Sequence, residues 1–149
     1  MREKISEITE QILSDAGWYP GRKVDIQEVV DFLESKGYKV FPCVLDVLYE
    51  FSKLRCSFTR PNGDEDSFYV NPEEAYGDYY DKEDFNEIEM RVKESLIAIG
   101  QARNDNMMMF MSESGKVYGE SGYYLVKFGD NIHEALDNLC LVQPGKEIE

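Results

Sequence analysis

The apolar residues of this chain change their period twice. Near the ends they recur every three or four positions, as on one face of a helix. Ile5, Ile8 and Ile12 do so first, then Ile26, Val29, Val30 and Leu33, then Val44, Leu45, Leu48 and Phe51, and at the far end Ile132, Ala135, Leu136 and Leu139. Between these groups the pattern is that of strands. Leu54, Cys56 and Phe58 alternate with Arg55, Ser57 and Thr59. The short apolar blocks "SFYV", "SLIAIG", "MMMFM", "KVYGE" and "YYLVKF" follow. Helices gathered at both ends with hairpins between them predict an α+β fold, a single domain with a mainly antiparallel central sheet. A length of 149 residues fits one domain and allows an ordinary core.

Capping and turn residues set the expected boundaries. The first helix stops before Gly17. Asp25 opens the second, with Glu28 three residues on as a capping box, and Gly37 closes it. "YKVFP" is extended, and Pro42 leads into a third helix. "RPNGDED" turns the chain back between two strands. "NPEEAYGDYYDKEDFNE" is a long polar excursion that ends in helical spacing at Phe85, Ile88 and Val92. "SESG" is a turn, and Asn131 with Glu134 opens the last helix as another capping box. The domain is expected to span residues 1–143, with a frayed acidic tail over 144–149. The run Met107, Met108, Met109 and Met111 fits a central strand covered on both faces, with an adaptable contact surface as the alternative.

"AGWYPGRKVD", residues 16–25, places the only Trp of the chain in a tight turn. Gly17 suits a helix stop, and Pro20-Gly21 suits the centre of a type II turn. Trp18 can plug the gap between two diverging helices if its indole N–H finds an acceptor. Arg22 can bond carbonyls or a carboxylate beneath the turn. Gly17, Trp18, Gly21 and Arg22 therefore read as a structural latch; a ligand clamp of Trp18 and Arg22 is the alternative.

Charge narrows the function. Thirty acidic residues face sixteen basic ones, for a formal net charge of -14, which disfavours nucleic acid or an anionic membrane as a direct ligand. Ten of those fourteen charges come from Asp64 to Glu89, which holds eleven carboxylates and one base, Lys82. Within it "AYGDYYD" interleaves tyrosines with acids. Asp64, Glu65, Asp66, Tyr69, Glu73, Glu74, Tyr76, Asp78, Tyr79, Tyr80 and Asp81 are the candidate partner-binding residues. Carboxylates would steer a basic partner, and aromatic side chains would anchor it. The plainer alternative is a solvated acidic loop with one or two tyrosines tucked into the core.

The ordered motifs resemble the third SUKH family, small bacterial immunity proteins. "AGWYPGRKVD" and its following helix match the start of that family, and "VLYEFSKL", "FYVNPEEA", "LIAIGQ", "ESGKVYG" and "FGDNIHEALDNL" match later pieces in order. Where the family often has Gly-Gly after Glu-Phe, this chain has Ser52-Lys53. The resemblance implies an immunity protein that binds a cognate toxin domain, often a nuclease, and inhibits it by occlusion, with no catalytic residues and no cofactor. A basic nuclease groove, which must hold phosphates, would suit the acidic segment.

Enzymatic readings find little support. His133 is the only His and lies in the first turn of the last helix, so a Ser-His or Cys-His pair is not expected. Asp64-Glu65-Asp66 is too compressed for an EF-hand loop, though "NGDEDS" could hold Ca²⁺ weakly; no metal site is expected. No glycine-rich phosphate loop is present. A carboxylate-dependent hydrolase, or a regulatory adaptor on the same scaffold, are the competing functions. Cys43, Cys56 and Cys140 lack metal-type spacing and read as reduced thiols of a cytoplasmic protein.

Overall fold

A computed structural model describes residues 5–77, 79–122, 124–142 and 145–148. Three helices come first: α1 (Glu7–Asp15), α2 (Gln27–Ser35) and α3 (Pro42–Phe51). The hairpin of β1 (Arg55–Thr59) and β2 (Glu65–Val70) follows, then the short α4 (Pro72–Tyr76). A 3₁₀ turn (Lys82–Phe85) runs into α5 (Asn86–Val92). Then come β3 (Leu96–Ala102), β4 (Met107–Ser112), β5 (Val117–Ser121), β6 (Tyr124–Gly129), α6 (Ile132–Cys140) and β7 (Lys146–Glu147). The seven strands lie side by side in sequence order, every pair antiparallel. The α+β architecture expected from the two periods is the one observed.

β4 occupies the centre of this sheet, and all six of its residues are buried. Alternation sends Met107, Met109 and Met111 to one face and Met108 and Phe110 to the other. The methionine run is therefore core, as the plainer reading had it. On the Phe110 side the cover is aromatic. Phe85 meets Phe110 edge to face at 4.9 Å, and Tyr76 and Tyr80 pack on Phe85 at 5.7 and 5.6 Å. α1 and α6 pack on each other and reach β1 and β6 respectively.

β2 pairs with β3 at only two positions, Tyr69 with Gln101 and Val70 with Gly100. Asn71 then caps α4, its side chain accepting the Glu74 N–H, and Pro72 takes the first helical position. The edge of β3 left open by β2 is closed by a side chain. The Tyr76 hydroxyl accepts the Ala98 N–H at 3.2 Å and donates to the Tyr38 hydroxyl at 2.5 Å. Burial raises the pKa of both phenols, Tyr38 to about 12.

Several boundaries differ from those expected. α1 is rotated: Thr9 and Leu13 are buried, Ile5 and Ile12 are half-buried, and Ile8 is exposed. Thr9 takes its place because the Ser6 side chain caps the helix there, accepting the Thr9 N–H. α2 begins at Gln27 without a side-chain cap from its N-cap Ile26. Asp25 instead accepts the Gln27 N–H in a tight turn, so no capping box with Glu28 forms. At α6, Asn131 caps Glu134 as expected, while the Glu134 carboxylate turns back to the Asp130 N–H. In the tail, where fraying was expected, Lys146 and Glu147 pair with Lys127 and Val126 of β6. Residues 143, 144 and 149 lie outside the described residues.

Candidate partner-binding surface

The turn after α1 is organised by Glu50 at the end of α3. Gly17 and Gly21 stand at φ +113° and +82°, left-handed conformations that favour glycine. The Arg22 N–H bonds the Tyr19 carbonyl at 3.1 Å, closing the Pro20-Gly21 turn. Trp18 is buried, and its indole N–H donates to the Glu50 Oε2 at 2.9 Å. Arg22 donates to the carbonyls of Glu50 and Ser52 at 2.6 and 2.9 Å. Both polar heads are thus engaged within the chain, tying the α1–α2 turn to the end of α3. The turn below departs from glycine: Lys53 itself takes φ +67° and donates its N–H to the Val70 carbonyl at 3.2 Å.

The structure divides the eleven candidate residues. Three are interior. Asp66 is 2% exposed and accepts from Arg60 and Arg103, each guanidinium at 2.9 Å, and from the Ser67 N–H at 2.8 Å. A buried carboxylate needs such partners, so Asp66 is a structural ion centre and not part of an exposed patch. Tyr76 is fully buried in the β3 contact described above. Tyr69 lies buried beneath the Arg55 guanidinium, 4.4 Å from its ring, and its hydroxyl bonds the Gln101 Oε1. Burial, with Glu74 and Asp105 nearby, pushes the Tyr69 phenol up to about 12. These three placements share one cause: each residue points inward on an element whose acidity the sequence shows but whose phase it hides.

Of the others, those among the described residues remain at the surface, on more than one face. Asp64 and Glu65 sit at the tip of the β1–β2 hairpin, bonded to Asn62 and Thr59. Glu73 faces Glu28 and Lys53; burial first, and Glu28 second, raise its pKa. Glu74 pairs with Arg55 at 3.7 Å, and Arg55 also reaches Asp105 at 3.3 Å. Asp81 caps the 3₁₀ turn and pairs with Lys36 at 3.0 Å. Asp78 lies outside the described residues. Tyr79 is 88% exposed and Tyr80 42%, the least and the more sheltered ends of one turn. Met90, on α5, is another exposed apolar side chain.

Beside Tyr80 a cleft of about 460 Å³ opens between the 3₁₀ turn, α5 and the sheet. Its sheet wall is a row in register across three strands: Gln101, Met108 and Glu120. Asp84 and Glu87 contribute from the helical cover, Asp105 from the β3–β4 turn. Glu120 and Asp105 lie outside the acidic segment; their positions on a strand and a turn gave the sequence no acidic run to mark them. Reactive chemistry is not favoured by the remaining groups. Burial raises the thiol pKa of Cys56 and Cys140 to about 12, and that of Cys43 also rises. Among the described residues no group of three His, Cys, Asp or Glu side chains is placed to hold a metal ion, and no helix is long and apolar enough to cross a membrane.

The scaffold is α+β, with Tyr79 and several acidic side chains exposed on its surface. The family model of the SUKH-3 immunity proteins matches residues 5–142, and the chain belongs to that family. Membership implies a cognate toxin as its partner, and the family is typically non-enzymatic. Comparisons with curated proteins and with solved structures gave no match.

Proposed function

We propose that this chain neutralises a basic, nuclease-type toxin by covering its active site with the acidic surface around Tyr79 and Tyr80. The observation that carries the reading is the pairing of charge with an exposed aromatic. The segment from Asp64 to Glu89 holds -10 of net charge, and Tyr79 projects from it almost wholly exposed. Glu74, Asp81, Asp84 and Glu87 flank the tyrosines along the chain. A nuclease groove lined with Lys and Arg would be steered onto such a face, and the tyrosines would supply the desolvated contact that rim charges do not. Asp64, Glu65 and Glu73 would then act as outlying charge. The reading places the protein in the cytoplasm, where a toxin of nucleic acids finds its substrate.

The test is binding to a cognate toxin domain, measured across ionic strength. Affinity should fall as salt rises. Tyr79→Ala and Asp81→Lys should each weaken binding and the protection of cells expressing the toxin. Salt-independent binding with protection intact in both variants would reject this face.

A further inference from the structure

Glu120 is a carboxylate apart from the acidic segment. It closes the row Gln101–Met108–Glu120 on the wall of the cleft beside Tyr80. The apolar part of that cleft is made by Phe85, Ile88 and Met108, all buried in the free chain. Four carboxylates line it, and Arg91 is the single basic side chain among the described residues that do so. Two of the four are already committed: Asp84 accepts the Asp81 N–H at 2.8 Å, and Asp105 pairs with Arg55. The Glu120 carboxylate has no hydrogen-bond partner among the described residues. Burial raises its pKa, and Arg91 only partly offsets this. A carboxylate half-buried in this wall without a bonded partner works against the fold's own stability, a pattern found at functional sites.

We propose that the cleft seats an arginine-bearing segment of the cognate toxin, its guanidinium on the Glu120 and Glu87 carboxylates and its methylene stem on Met108 and Ile88. The inference rests on the toxin-binding reading above and names what that surface holds. Charge complementarity selects a cation, since four carboxylates face one guanidinium. The apolar strip selects a cation on a long stem, because a bare ion gains nothing from Met108 or Ile88. Tyr80, half-exposed at the mouth, selects arginine over lysine: a planar guanidinium stacks on a phenol ring while forking onto carboxylates. The volume is within the range of small-ligand clefts, roughly 300–1,000 Å³, which admits a side chain with some flanking backbone. Methionine at its wall can adjust to that occupant.

The test uses the full chain, isotope-labelled, titrated with N-acetyl-arginine amide, N-acetyl-lysine amide and the uncharged N-acetyl-citrulline amide. Saturable shifts at Gln101, Met108 and Glu120 are expected with the arginine probe. They should be weaker with lysine, absent with citrulline, and lost in Glu120→Gln. Glu87→Gln, on the exposed face of α5, serves as a second variant that leaves the sheet untouched and should also weaken the response. Equal response to citrulline, no saturation in the cleft, or indifference to both substitutions overturns the proposal. Against the toxin domain, each Gln variant should lose affinity by about tenfold or more. Full affinity in both, with loss in Tyr79→Ala, removes the cleft and keeps the wider surface; no binding by the unaltered chain removes the wider reading.

Discussion

The Trp18 indole N–H donates to the Glu50 Oε2 at 2.9 Å, and the carbonyl of that same glutamate takes Arg22 at 2.6 Å. One residue at the end of α3 thus satisfies both polar groups of the turn after α1. The Trp18–Glu50 contact joins residues 32 positions apart and lets a large aromatic be buried without an orphaned donor. Trp18→Ala should lower stability by roughly 3–5 kcal/mol, and Arg22→Lys by about 1–3 kcal/mol, since lysine cannot fork to two carbonyls. Urea unfolding measures both. Toxin affinity, taken where each variant is folded, should be unchanged; a stable Trp18→Ala protein that no longer binds would make the turn a ligand clamp.

Lys53 holds φ +67° directly after Ser52, whose buried hydroxyl has no hydrogen-bond partner. A lysine in the left-handed region carries strain of about 1–3 kcal/mol that glycine avoids, although glycine gives part of this back through a more flexible unfolded chain. Lys53→Gly is expected to stabilise the protein by about 1 kcal/mol, seen as a higher urea midpoint with an unchanged slope. A lower midpoint would mean that the lysine side chain contributes more than its backbone costs.

The two periods of the sequence locate the sheet and the end helices because burial on one face imposes spacing directly. What they hide is phase and partnership. Ile8 and Thr9 are neighbours in α1, and only the cap from Ser6 and the packing against α6 turn the threonine inward. Asp66 sits among acids that look alike in sequence. Only the register of β2 and the arrival of Arg103 from the β3–β4 turn make it an interior ion centre. Glu120 is the reverse case. An isolated acid on a strand carries no local signal, and its place beside Met108 exists only once β4 and β5 are paired.

Tyr76 illustrates a tyrosine whose hydroxyl replaces a strand. β2 leaves β3 after Val70, and the Ala98 N–H is taken by the Tyr76 hydroxyl, which in turn donates to Tyr38. Tyr76→Phe keeps the ring contacts with Phe85 and Phe32 but strands a buried amide and a buried phenol. The expected loss is about 1–3 kcal/mol in unfolding free energy, with faster hydrogen exchange at Ala98. An unprotected Ala98 amide in the unaltered protein would contradict the contact.

Glu120 links stability to binding through pH. Burial raises its folded pKa above the unfolded value of about 4.3, with Arg91 partly opposing. For such an acid the native state holds its proton more tightly than the unfolded chain. The favourable contribution is fully present below the unfolded pKa and is lost as pH rises through the folded pKa. Above the folded pKa the ionised carboxylate is therefore a net cost, which Glu120→Gln removes. The variant should melt higher than the unaltered chain near pH 7, and the difference should shrink toward zero near about pH 3.5, where both side chains are neutral. Calorimetric melting at the two pH values checks this. A variant that melts lower at pH 7, or by the same margin at both, would show that the carboxylate is satisfied within the free chain and has no need of a cation from outside.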